Sequence, residues 1–281
     1  MKTVYLLVLS LVWLALTPTS GAAQTVSPAA LAANNQGAAA FAKGDFLTAI
    51  TAFRKAIQLA PDQPVIVESL AASYQKLGRW TEAQTLLQAK IKAFRAPDQK
   101  TELEGALADN HFYWAQKLKA AYQYQEAIQH LQAALAIDRA FRPSEVGVDL
   151  YALGSVSDDL TQYAKAIDYY QEALKLRQAS GDRSGEADVL NNLGSLYDNL
   201  GQYANAIDFY GQALAIERDL KDRAHEAATL NNSGSSWNNA GQPEKAIGLH
   251  EQSLKICREI KDREGEAVAL KSLGSTYDAL G

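Results

Sequence analysis

Two asparagine pairs, Asn191-Asn192 and Asn231-Asn232, stand forty residues apart. A side-chain amide carries donors and acceptors together, so it can pair with another backbone's N–H and C=O without demanding a sequence. Asparagine is a poor helix former, so its doubled recurrence at one spacing needs a reason: contact with a ligand, or solvated surface. The repetition favours the ligand. The other reactive side chains form no catalytic or metal-binding pattern in the sequence. His111, His130, His225 and His250 are scattered along the chain. His225-Glu226 opens like a zinc-protease helix, but Thr229 stands where the second imidazole belongs. Asp158 and Asp159 are sequence neighbours and point apart on a helix, whereas general acid–base work needs opposed carboxylates in a closed pocket. The single cysteine, Cys257, closes no internal disulfide and supplies no multi-thiolate metal site. Its equivalents one and two spacings earlier, Glu217 and Arg177, are charged, which places it on the surface, as an incidental thiol or an intermolecular disulfide partner. There is no Gly-x-Ser-x-Gly, phosphate loop or dinucleotide fingerprint. No catalysis, metal or cofactor is expected.

The elements that hold the asparagines follow from an internal period. The same shift of forty aligns Leu153-Gly154, Leu193-Gly194, Ser233-Gly234 and Leu273-Gly274, and likewise Ala166-Ile167, Ala206-Ile207 and Ala246-Ile247. Nearer the N-terminus the period shortens to thirty-four, from Gly44 to Gly78 and from Ala49 to Ala83. Each unit reads as two amphipathic helices. Leu190, Leu193, Gly194, Tyr197 and Leu200 share one helical face, Gly201 stops it, and Tyr203, Ala206, Ile207, Tyr210, Ala213, Leu214 and Ile216 form the second stripe. Gly194 and Ala206 let the backbones approach, with tyrosines filling the space between turns. Asp182, Asp222 and Asp262 stand where a carboxylate caps a new helix. On each first helix, three positions around the packing glycine share one face. They are Tyr151, Ser155 and Asp158; Asn191, Ser195 and Asp198; Asn231, Ser235 and Asn238; and Lys271, Ser275 and Asp278.

Composition bounds the class. The 281 residues, 47% hydrophobic with a net charge of −5, are too apolar for a disordered chain. An acidic balance argues against nucleic-acid binding. Residues up to Arg142 carry 14 basic against 10 acidic side chains, net +4, and those from Pro143 onward 13 against 22, net −9. The start reads as an export leader: Lys2, an apolar run from Val4 to Leu16, then small residues placed for cleavage after Ala22 or Ala23. The alternative, a membrane span, needs about 20 apolar residues, and no cysteine near the cleavage point offers a lipid attachment. The expectation is a periplasmic or extracellular protein with no stable membrane insertion once the leader, residues 1–23, is removed.

Gly37…Gly44-Asp45-Phe46…Ala49-Ile50…Phe53…Ala56-Ile57…Pro61 resembles the tetratricopeptide repeat pattern at nearly every signature position. The longer units, such as the one running through Leu190 to Tyr210, resemble the forty-residue variant of kinesin light chains and many bacterial signalling proteins. The resemblance covers about Ala29 to Gly281. It implies an all-α fold, a right-handed α-solenoid superhelix of helix-turn-helix repeats whose first helices line an inner groove, with stability passed between neighbours. Residues 24–29 read as a linker, 30–97 as two units of the shorter period, 98–107 as an irregular connection and 108–281 as units three to six plus a terminal half-repeat. The connection is either an extended first helix or an offset in the array. Ala71 and Ala115 replace the packing glycine, Tyr122 and Thr161 the turn glycine, and Pro243 an aromatic.

The resemblance implies a protein-interaction scaffold holding an extended or helical segment. Asn192 and Asn232 match the asparagine that related families use to hold a peptide backbone. Only Lys271 is basic on this face, where Asp158, Asp198 and Asp278 also stand, so the expected partner is a neutral-polar or basic protein segment. The alternative is the recognition arm of a larger protein bearing a downstream caspase-like CHAT domain, consistent with a chain that ends at a turn glycine and is expected to be a fragment.

Overall fold

A computed structural model describes residues 26–280. The expected leader lies outside the described residues. Among those residues there are thirteen α-helices, one 3-10 turn at Pro143–Glu145 and no strand, and no helix is long and apolar enough to cross a membrane. The chain divides into two compact units, the boundary falling after Asp149.

The first unit holds three hairpins: α1 (Pro28–Ala42) with α2 (Phe46–Leu59), α3 (Pro64–Lys76) with α4 (Trp80–Ala93), and α5 (Pro97–Ala120) with α6 (Tyr124–Phe141). Residues 98–107 are not an irregular connection. They are the first turns of the long α5, opened by Pro97 in the first turn, where the missing N–H costs nothing. The extended first helix is therefore the correct alternative. α7 (Val146–Asp159) begins four residues before the boundary and leads to α8 (Tyr163–Ser180); within the second unit α9 (Arg183–Asn199) pairs with α10 (Tyr203–Leu220) and α11 (Arg223–Asn239) with α12 (Pro243–Ile260), and α13 (Arg263–Asp278) follows.

One packing rule closes the hairpins. A Cβ on Gly37 would come within 2.7 Å of the Phe53 ring, one on Gly154 within 2.7 Å of Tyr170, and one on Gly194 within 2.7 Å of Tyr210. On Gly234 it would meet the His250 ring at the same distance. In each case the ring stands sixteen residues after the glycine. At that spacing the two units with alanine carry a smaller partner, Leu87 for Ala71 and Leu131 for Ala115, all four buried. The missing methyl and the flat ring are one unit of volume, because interiors pack at crystal density.

The turns show the cost of departing from glycine. Gly44, Gly78, Gly201 and Gly241 have positive φ, and so do Tyr122 at 61° and Thr161 at 58°. A β-branched residue there is strained, by about 1–2 kcal/mol. Thr161→Gly is expected to raise stability by roughly 1 kcal/mol, net of the entropy glycine adds to the unfolded chain. The check is an increased urea midpoint at constant slope.

Late positions of three second helices are buried even where they are charged. Asp138 is 0% and Glu217 2% exposed, and Cys257 is 2% exposed. Cys257 is thus not a surface thiol: its equivalent Glu217 is buried as well, and Arg177 is half-buried. Two histidines that the sequence scatters also meet. In the first unit His111 Nδ1 lies 2.8 Å from His130 Nδ1, and His130 stacks on Trp114 at 4.0 Å.

Candidate functional site

The asparagines lie on α9 and α11, with equivalent positions on α7 and α13. Three of these four helices, α9, α11 and α13, are launched by a carboxylate: Asp182 accepts from Gly185 N–H, Asp222 from His225 N–H, and Asp262 from the Glu264 and Gly265 N–H groups. Side chains close to one period apart, 38 or 41 residues, meet between neighbouring first helices. That register is visible as hydrogen bonds. Asn192 Nδ2 donates to the Tyr151 hydroxyl at 2.9 Å, and Asn232 Nδ2 to Asn191 Oδ1 at 3.3 Å. Asn191 Nδ2 donates to Thr229 Oγ1 at 3.1 Å, and Thr229 in turn to Glu217 Oε1 at 2.8 Å. Lower on the same face Asp198 accepts from Ser236 at 2.5 Å and from Asn239 at 3.3 Å.

The recurrence of asparagine therefore has a structural reason beside any ligand: the amides tie neighbouring first helices together. Each still leaves hydrogen-bonding capacity. In these contacts Asn191 uses two of its four positions, and Asn192 and Asn232 one each. Both of the latter are half-buried, which holds their rotamers while exposing an edge.

The remaining expected residues divide by depth. Tyr151, Ser155, Asp158, Ser195, Asp198, Ser235 and Asn238 are half-buried. Ser155 and Ser195 bond the Tyr170 and Tyr210 hydroxyls, whose ionisation burial suppresses. Burial also raises the Tyr151 phenol, with Asp188 adding to it. Asn231 is buried, its Oδ1 2.9 Å from His250 Nδ1, which assigns the proton to that nitrogen. Asn231 thus orients the ring that covers Gly234 and is a packing residue. Lys271, Ser275 and Asp278 on α13 are exposed.

Sequence reasoning missed Thr229, Glu217 and His250. Glu217 keeps Oε2 without a hydrogen bond, and burial pushes its carboxyl above the ordinary range. The signal for His250 was present: it stands at the position of Tyr170 and Tyr210 in the period. Thr229 and Glu217 have no such signal, because the neighbouring units carry Val189 and Ala269 at the threonine position and Arg177 and Cys257 at the glutamate position. Among the described residues no group of three or more His, Cys, Asp or Glu is placed to hold a metal.

Family models described as tetratricopeptide repeat match residues 40–101, 148–219 and 227–260. Over 51 residues, 18% of this chain, the sequence is 45% identical to Hsp70-Hsp90 organizing protein 3 of Arabidopsis thaliana, of whose length that match spans 9%. Among solved structures, the STAND protein with a tetratricopeptide repeat sensor PH0952 from Pyrococcus horikoshii superposes with a TM-score of 0.66 at 19% identity, covering 90% of this chain and 39% of that one. YrrB, described as a TPR protein with an unusual peptide-binding site, gives 0.52 at 19% identity, covering 79% and 98%. At these identities the structural likeness shows the fold.

Proposed function

The chain is a tetratricopeptide repeat protein, and from that premise we propose that it is a non-catalytic scaffold that holds an extended or helical segment of a protein partner on the face formed by α7, α9, α11 and α13. A protein-interaction scaffold is the role the repeats support. The reading of the binding face rests on one observation: Asn192 and Asn232, one period apart, are held by the Tyr151 hydroxyl and Asn191 and still offer an amide edge. Such a pair matches the repeat of a backbone rather than a particular side chain. The partner is a neutral-polar or basic segment, since residues from Pro143 onward carry net −9. The chain is exported through its leader, and N-terminal sequencing of secreted material beginning at Ala23 or Gln24 is the expected result.

Binding is tested with Asn192→Ala/Asn232→Ala, which spares the buried amide of Asn231. Peptides selected from a random library on the wild-type protein are expected to bind this variant at least about tenfold more weakly, the loss from two hydrogen bonds at about 1 kcal/mol each. Undiminished capture by a variant with unchanged circular dichroism and melting would defeat the assignment to this face.

A further inference from the structure

Three junctions in the second unit share one frame, a cap in which the aspartate before a helix accepts backbone N–H with Oδ1 and leaves Oδ2 for another group. At the first, Asp182 Oδ1 accepts from Gly185 N–H while Oδ2 takes the guanidinium of Arg177. Gly185 makes room: a Cβ there would come within 2.6 Å of the guanidinium carbon. At the second, Asp222 Oδ1 accepts from His225 N–H and Oδ2 lies 2.8 Å from the His225 ring. In both, the chain supplies its own nitrogen group to the free carboxylate oxygen.

At the third junction the frame remains and the nitrogen group is missing. Asp262 Oδ1 caps α13 at the Gly265 N–H, 3.0 Å away, and Gly265 stands at the position of Gly185. Cys257 stands at the position of Arg177 and ends at a sulfur, within 2.7 Å of where a Gly265 Cβ would be. Arg258, the neighbouring cation, is engaged with Glu266 at 2.7 Å. Beside this junction a cleft of about 220 Å³ opens between α11, α12 and α13, lined among others by Asn231, Asn232, Ala228, Cys257, Asp262 and Gly265. In the preceding unit Asp188, Glu217 and His225 occupy the places of Ala228, Cys257 and Gly265, so three shortened side chains leave the space. It is smaller than the roughly 300–1,000 Å³ of small-molecule pockets. It matches the end of one side chain.

We propose that this cleft is a seat for an arginine side chain of the bound partner, whose guanidinium takes at Asp262 Oδ2 the place that Arg177 fills at Asp182. The ligand class is read from the chain's own occupied copy of the frame. A planar guanidinium gives a carboxylate two parallel donors, and the neighbouring amide oxygen of Asn232, whose Nδ2 is the atom bound to Asn191, offers an acceptor to a remaining N–H group. The seat rests on the binding face described above, since Asn232 contributes to both.

The probe is N-acetyl-arginine N-methylamide, followed by the NMR shifts of the Gly265 and Val268 amides. Saturable shifts are expected, with the uncharged citrulline analogue about tenfold weaker or worse. Cys257→Arg fills the seat as Arg177 does and should abolish the response. Asp262→Asn keeps the capping oxygen, removes the charge, and should weaken the response about tenfold. A silent wild-type protein, equal shifts from citrulline, or an undiminished response in either folded variant would overturn the proposal. A single residue reads the seat without the wider face. A responsive probe with peptide capture indifferent to Asn192→Ala/Asn232→Ala rejects the face and keeps the seat; a silent probe with amide-dependent capture does the reverse.

Discussion

Tyr210→Ala is expected to lower the unfolding free energy by about 3–5 kcal/mol, the cost of removing a buried aromatic and leaving its cavity. Tyr210 is 2% exposed and its ring lies on Gly194, so the hole opens against bare backbone that cannot collapse to fill it. The reciprocal change overfills the site. In Gly194→Ala the new methyl would meet three ring carbons at 2.7–2.9 Å, which real Cβ contacts do not show. Overpacking of this kind costs about 1–3 kcal/mol, against about 1 kcal/mol gained from alanine's helix propensity. The first unit contains the compensated state: Ala71 with Leu87 and Ala115 with Leu131. Gly194→Ala/Tyr210→Leu should therefore be more stable than the sum of its single changes by roughly 1–3 kcal/mol, the range of coupled contacts. Urea unfolding and hydrogen exchange of the α9 and α10 amides measure the cycle, the latter because repeat arrays lose stability locally. Strict additivity would remove the size rule as the reason for the pairing.

That rule also shows what could be read before any coordinates. Helix pairs, turns and capping aspartates follow from spacing alone, because each depends on residues within one turn of each other: Asp182, Asp222 and Asp262 cap as expected. The packing glycine was legible as small. Its ring partner was not, because the sixteen-residue link joins two helices. The slot holding Asp138, Glu217 and Cys257 was misplaced for a related reason. Charge argued for solvent, but Asp138 is buried with Arg142, four residues on, 2.7 Å away, and Glu217 sits where one repeat of the second unit meets the next and accepts from Thr229. Asparagine recurrence was legible as meaningful, and half of its meaning is the ladder between first helices.

The paired imidazoles of the first unit carry the other large effect. His111 stands where later repeats place Leu150, Leu190 and Leu230, and His130 where they place Tyr169, Phe209 and Leu249, so a polar contact replaces an apolar one. At 2.8 Å one Nδ1 donates and the other accepts, which two neutral rings satisfy and two charged rings do not. Burial, reinforced by the neighbouring His130, pushes His111 down to about 4; burial also lowers His130, opposed by Glu126. The sign follows. Between about pH 6.5, where an unfolded histidine takes its proton, and pH 4 the unfolded chain binds more protons than the folded one, so stability falls on acidification. The full depression of His111 corresponds to about 3 kcal/mol, and about 2 kcal/mol is expected once a partly exposed His130 shares the proton. Glu68 acts in the opposite sense, its carboxyl pushed up to about 8 by burial beside Glu102 and Asp109, and loses stability as pH rises from about 4.5 toward 8. The difference between wild type and His111→Leu/His130→Phe, measured by urea unfolding from pH 4 to 8, isolates the rings. The variant should gain about 2 kcal/mol relative to wild type on going from pH 7 to pH 4. Parallel curves would mean that the pair titrates as it does in the unfolded chain, and that the contact is made by rings free to take up water and protons.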